Sequence, residues 1–278
     1  MKKEDQPNNI VPVDLTTGEI VSGRVITPAM EQEIKKKKKV QEQYKDYEQF
    51  YWLFYEMQQQ LFEGKIEGAI AARLMFLVTF MGYHENKLAY RNGKLIPKKD
   101  LIHILNLSKK QYYDFIRICA GNNLLFIHDD DSISLTDKYF KRGKLYKKDL
   151  NNETSIIRVY CKTVQYLYTN STPTYHKNLG YLFALIPHVN KQYNIVCSNP
   201  LETNFDKVIP LNLKELCIAI GFNPEHANDL KSHLKSIRIR NKPVISFVEN
   251  CNGIKTFTNP IVYYSGNDYE KVKILGKF

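Results

Sequence analysis

Lys109, Lys110, Gln111, Tyr113, Asp114 and Arg117 share one side of a helical stretch. Its other side is Tyr112, Phe115, Ile116 and Cys119, at i, i+3, i+4 and i+7. Long cationic and amide side chains over an apolar back suit one kind of chemistry: ion pairs with phosphates and hydrogen bonds to base edges in a DNA major groove. A second stretch has a similar build. There His226, Asn228, Lys231, Ser232 and Lys235 point outward over Ala227, Leu230 and Leu234, and Arg238, Arg240 and Lys242 follow.

No spacing in the chain matches a catalytic or metal-binding pattern. There is no phosphate-cradling glycine loop, no H-E-x-x-H and no G-x-S-x-G. His226 and His233 fall on one helix face, but no carboxylate or cysteine completes a ligand set, and they read as surface histidines. The nineteen tyrosines include no plausible nicking nucleophile, because that chemistry would want a histidine pair separated by one residue. A non-enzymatic protein with no metal and no cofactor is expected.

The elements that must position these side chains repeat. In the first copy, Lys98 to Leu105 reads as a short helix, Asn106-Leu107 as a turn and Ser108 as the cap of the next helix. In the second, Leu213 to Ile220 is the short helix and Gly221-Phe222 the turn. Asn223 is the cap, with Pro224 at the first helical position. Two strand pairs follow: Leu124 to His128 with Ser132 to Thr136 around Asp129-Asp130-Asp131, and Val244 to Val248 with Ile254 to Thr258 around Asn252-Gly253. The echo also reaches upstream. The apolar run at 66–81 matches Leu179 to Leu185, and about seven extra residues lie in the second copy near Asn199-Pro200.

The charge follows the repeat. Of the net +11, residues 87–148 hold fourteen basic and six acidic groups, giving +8, and residues 207–278 hold eleven and six, giving +5. Concentrated positive charge is the footprint of a phosphate-backbone binder. The DNA-binding set expected from it is Lys98, Lys109, Lys110, Gln111, Tyr113, Arg117, Lys141, Arg142 and Lys144 in the first copy. In the second it is His226, Asn228, Lys231, Lys235, Arg238, Arg240 and Lys255. The acidic tip of the first hairpin would be held away from phosphate.

The expected fold is mainly α with small β wings (α+β), as tandem winged helix-turn-helix domains. Residues 1–30 read as an irregular arm, with Glu19-Ile20-Val21 able to pair as a short strand, and 31–64 as a basic and aromatic N-terminal helix. Residues 65–147 are the first winged-helix domain, 148–174 a connecting helix and linker, and 175–278 the second winged-helix domain. The Lys35 to Lys39 run fits a solvated face, a tether or a phosphate-contacting arm. Phe50 to Tyr55 is dense enough in aromatics to stack bases but reads rather as a helix docked on a core, and Ile156 to Tyr168 reads as an amphipathic helix.

At 43% hydrophobic and 25% charged the composition is that of a globular protein. No apolar run reaches the roughly 20 residues that span a bilayer, and Met1 to Asp5 leads into no signal peptide. Five scattered cysteines argue for reduced thiols, hence a cytoplasmic setting and no membrane partner.

Leu107-Ser108-Lys109-Lys110-Gln111-Tyr112 through Asn122-Asn123-Leu124-Leu125 resembles the helix and strand of MarR-like winged helices. Leu135-Thr136-Asp137-Lys138-Tyr139-Phe140-Lys141-Arg142-Gly143-Lys144 looks like the closing segment of replication initiators from plasmids and phages of Gram-positive bacteria. The resemblance covers about residues 65–147 and implies double-stranded DNA as partner at an origin or operator, with host replication or transcription proteins and a homodimer as further partners. A transcriptional regulator of the same fold, or an adaptor that binds proteins, are the other functions this plan serves.

Overall fold

Phe50–Phe54, five aromatic and aliphatic residues in a row, form strand β1 rather than part of a helix. Tyr51 and Leu53 are fully buried while Phe50 and Trp52 are half-buried, the two-residue alternation of a strand packed harder on one face. The computed structural model describes residues 28, 31–32, 49–54, 66–83, 85–145, 156–250, 253–266 and 268–278. The expected arm, the Glu19 to Val21 strand and the Lys35 to Lys39 run lie outside them. Residues 47–278 form one compact unit.

In chain order the elements of the first half are β1, helix α1 (Gly68–Val78), a 3-10 turn (Lys98–Asp100), α2 (Leu101–Ile104) and α3 (Lys109–Gly121). Strands β2 (Leu125–Ile127), β3 (Ile133–Leu135) and β4 (Phe140–Lys141) complete it. The second half has β5 (Ile156–Tyr160), α4 (Cys161–Thr169), α5 (His176–Ala184), α6 (Leu213–Ala219) and α7 (Ala227–Ser236). It continues through β6 (Arg238–Ile239), β7 (Lys242–Pro243), β8 (Ile245–Asn250), β9 (Gly253–Thr258), β10 (Tyr263–Tyr264) and α8 (Tyr269–Gly276). The stretch from Ile156 to Tyr168, expected as one helix, is therefore a strand followed by a helix. Its first five residues are largely β-branched and aromatic, and they extend where a sheet is there to receive them.

The expectation of a mainly α chain carrying two tandem winged-helix domains is overturned. The fold is α+β, and a four-stranded antiparallel sheet of order β10-β5-β1-β4 takes two strands from each half. Among the described residues there are three further two-stranded sheets. One continuous core runs from Tyr51 and Leu53 through Phe115 and Phe140 to Val159, Phe183, Leu234 and Tyr263.

The two halves nonetheless repeat bond for bond. Gly82 N–H donates to Lys87 O at 2.8 Å, and Asn190 N–H to Ile195 O at 2.7 Å. Leu88 N–H to Ile133 O and Val196 N–H to Thr256 O are both 2.8 Å, and Leu135 N–H to Asn86 O and Thr258 N–H to Asn194 O both 2.9 Å. Asn86 and Asn194 occupy the same left-handed turn position, at φ 48° and 51°; asparagine tolerates it because its short amide can bond locally. The offset between copies is 108 residues at Leu88 and Val196 and 115 at Ser108 and Asn223, so the seven-residue insertion lies between them.

The halves meet where α1 crosses α5. Gly68 and Gly180 let the backbones touch: a Cβ on Gly180 would overlap the Gly68 carbonyl. Beside this crossing Tyr168 stacks on Phe76 at 3.9 Å and on His176 at 4.1 Å. The Tyr168 hydroxyl donates to Leu105 O at 2.9 Å. The buried Arg73 guanidinium lies against the same hydroxyl. Burial, and then the Arg73 charge, push the His176 imidazole down to about 4.

Gly180→Ala should cost about 1–3 kcal/mol or more in urea unfolding, because two backbones must part. Gly121→Ala, with open space around its Cβ at the end of α3, should gain up to about 1 kcal/mol. His176 ties stability to pH with a definite sign. The unfolded chain takes up this proton near pH 6.5 and the folded chain only near 4. Stability present above pH 6.5 is therefore lost as pH falls towards 4, by at most about 3 kcal/mol. In His176→Gln the pH dependence of the urea midpoint over that window should shrink.

Candidate nucleic-acid interface

Helix α3 starts where it does because Ser108 caps it. The Ser108 Oγ accepts from Gln111 N–H at 3.4 Å, and Gln111 Oε1 accepts from Ser108 N–H at 3.2 Å, a reciprocal capping box. The turn before it needs the left-handed φ of 50° at Asn106. Tyr112, Phe115 and Cys119 are buried, and the Tyr112 hydroxyl donates to Lys98 O at 3.0 Å, pinning α3 to the preceding 3-10 turn. The face left in solvent carries Lys109, Lys110, Tyr113 and Arg117, with Tyr113 65% exposed. Arg117 pairs with Asp114 at 3.1 Å, both largely exposed. Such an exposed pair is worth little, and a phosphate can take the guanidinium.

Gln111 is thus half-buried in the cap rather than free to read bases. Lys98 is half-buried, and its backbone is engaged at both ends: the N–H donates to Asp131 O at 3.0 Å. Lys141 sits half-buried on edge strand β4, opposite Trp52, and Lys144 is exposed just beyond it.

Arg142 does not belong to the interface. It is 8% exposed and donates to the carbonyls of Thr79 at 3.2 Å and Met81, and to Gln49 Oε1 at 3.2 Å. Its guanidinium lies 4.8 Å from the Tyr83 ring centroid. Basic residues at Lys141, Arg142 and Lys144 look alike in sequence. The middle one, just past the end of β4, turns inward, where it serves carbonyls at the end of α1.

The second copy is built on the same plan with different surface chemistry. Asn212 and Glu215 form a capping box at α6, and Asn223 Oδ1 accepts from Glu225 N–H at 3.0 Å before α7. Asn228 and Lys235 are exposed on α7, and Arg240 beyond it. His226 pairs with Asp229 at 3.1 Å. Lys231 is mostly covered: it pairs with Glu249 at 3.3 Å and lies 5.6 Å over the Phe247 ring, which Lys235 approaches at 5.8 Å. Lys255 lies 5.0 Å over Phe205, and Arg238 donates to Asn241 O at 2.8 Å. These aromatic seats were invisible in the sequence, because the ring and the cation lie 50 residues apart for Phe205 and Lys255 and on different elements for Phe247. The first copy therefore offers four exposed residues on one helix. The second offers cations already engaged with acids and rings.

The first hairpin keeps its acidic tip, where Asp130 accepts from Ser132 N–H at 3.0 Å. The second hairpin is twice as long, six residues a strand.

Sequence reasoning assigned Phe50 and Trp52 to the core. They line instead an open pocket of about 490 Å³ with Tyr83, Gly143, Lys144 and Leu145. The signal that could have found it is the alternation itself, since strand alternation buries Tyr51 and Leu53 and leaves their neighbours on the other face.

No protein family, curated protein or solved structure matches this chain. Among the described residues no helix is long and apolar enough to cross a membrane, and no three His, Cys, Asp or Glu side chains come together as a metal site.

Arg142→Ala should lower stability by about 2–3 kcal/mol by stranding the Thr79 and Met81 carbonyls, whereas Lys144→Ala should leave the urea midpoint unchanged within about 0.5 kcal/mol.

Proposed function

We propose that the protein binds double-stranded DNA sequence-specifically, with α3 as its main reader and α7 as a second, unlike contact. The observation that carries this is the exposed face of α3. Lys109, Lys110, Tyr113 and Arg117 project from a helix whose N-terminus is capped and whose back is buried. A rigid helix with cations and one aromatic ring on its outer face suits a major groove, where side-chain order costs little further entropy. The charge distribution supports the same reading, since residues 87–148 carry +8.

Because both readers belong to one body, a bound DNA would meet them at a fixed spacing and orientation. With the initiator resemblance of residues 107–144, this supports a role at the repeated sites of a plasmid or phage replication origin.

The test is affinity against salt. Removing a cation that neutralises one phosphate should flatten the slope of log K against log salt by about 0.9. Replacing Lys109, Lys110 and Arg117 together with alanine should weaken binding at least about tenfold and reduce that slope by about 2.7. A triple variant that binds as tightly as the parent sinks α3 as the reader. Failure of the intact gene to support replication of a plasmid carrying its neighbouring repeats sinks the initiator role alone.

A further inference from the structure

We infer that the pocket beside β1 is a second nucleic-acid site, one that takes an unpaired nucleobase together with its phosphate. Phe50 and Trp52 meet edge to face at 4.8 Å and 81°. The Trp52 indole is fixed in place, since its Nε1–H donates to Gly143 O at 3.0 Å. Gly143 reaches that position with φ 99°, a conformation few other residues adopt. Tyr83, 56% exposed, stands at the rim with Arg142 behind it. Rings already held in one rotamer form a stacking surface that loses little entropy on binding.

Cationic side chains stand near the rings. Lys144 lines the pocket and Lys141 lies across from Trp52 on β4, and among the described residues no carboxylate lines the pocket. Flat aromatic faces with cations at the edge match a base and its phosphate, and about 490 Å³ accommodates both. A paired base has its faces covered by its neighbours in the stack, so the site selects unpaired ones.

The duplication sharpens the assignment. In the second half Arg158 occupies the place of Trp52 and repeats its anchor, donating to Gly266 O at 2.5 Å as Trp52 donates to Gly143 O. It donates also to the carbonyls of Tyr264 and Ser265. Where the first copy presents a flat ring, the second spends its side chain on carbonyls. The flat ring at this position belongs to the first copy.

Trp52 is the chain's single tryptophan, so its emission reports on this pocket directly. Titration of the full chain with a twelve-residue oligothymidylate should quench it, while a blunt-ended linear duplex of twelve base pairs should not. Deoxyadenosine monophosphate separates the sources. Quenching by it at comparable concentration assigns the site to free nucleotides, and quenching by the oligomer alone assigns it to a DNA strand. An oligouridylate that quenches far better than the DNA oligomer assigns the strand to RNA and overturns the DNA version. Tyr83→Ala and Lys144→Ala, both at exposed positions, should weaken the oligomer about tenfold each. Emission unmoved by every ligand, equal quenching by the duplex, or full quenching in both variants overturns the site. The alanine triple variant of α3 should quench like the parent, which keeps this result independent of duplex binding.

Discussion

Strands β1 and β5 lie antiparallel with Trp52 opposite Arg158, Tyr51 opposite Val159 and Leu53 opposite Ile157. Each is also bonded to the last sheet strand of its own half, β4 or β10. Neither half alone has more than a two-stranded ribbon here, and an isolated ribbon of that size is marginal in water. Paired, the four strands cover the aromatic core of both halves, and α1 and α5 close over it at the glycine crossing. The positions of α3 and α7 follow from that buried pairing, not from a tether. A protein with two reading helices held this way meets the ordering cost of its geometry on folding, before any ligand is present.

Divergence between the copies lies in surface side chains, one insertion and hairpin length, while the turns that set the helices are shared. Asn106 and Gly221 hold equivalent left-handed turns at φ 50° and 69°. Leu107 N–H bonds Ile102 O at 3.1 Å as Phe222 N–H bonds Cys217 O at 2.8 Å. Ser108 caps α3, and Asn223 caps the 3-10 turn Pro224–His226 that leads into α7. Yet Lys109-Lys110 in one copy is Pro224-Glu225 in the other, and the short acid-tipped hairpin of the first is a long one in the second. Backbone hydrogen bonds are obligatory and resist change; solvated side chains answer only to what they touch.

That contrast explains what could be read from the sequence. The helix-turn-helix pairs, their caps, both hairpins and the inserted residues were legible, because each rests on local chemistry: an N-cap, a left-handed asparagine or glycine, an apolar stripe at helical spacing. The outer face of α3 was legible for the same reason. The central sheet was not. Phe50–Phe54 and Ile156–Tyr160 are aromatic and aliphatic runs of five, too short for their periodicity to separate strand from buried helix. What makes them strands is a partner about 106 residues away. Arg142 was misplaced for a related reason: the carbonyls that draw it inward, of Thr79 and Met81, lie far away in the sequence.

The register also accounts for the one place where the duplication had to break. In an antiparallel pair of identical strands, the residue on the two-fold axis faces its own copy. Here that position is Trp52 and Arg158. Two arginines there would set like charges on directly opposed side chains, which destabilises a sheet. Two indoles would compete for the space that Phe50, half-buried beside Trp52, already occupies. An unlike pair avoids both. Trp52 and Arg158 each satisfy the carbonyl of the equivalent glycine, Gly143 or Gly266, on opposite sides of the axis. A symmetric sheet thereby acquires one aromatic side and one cationic side from a single packing constraint, and the pocket beside Trp52 is the aromatic side of it.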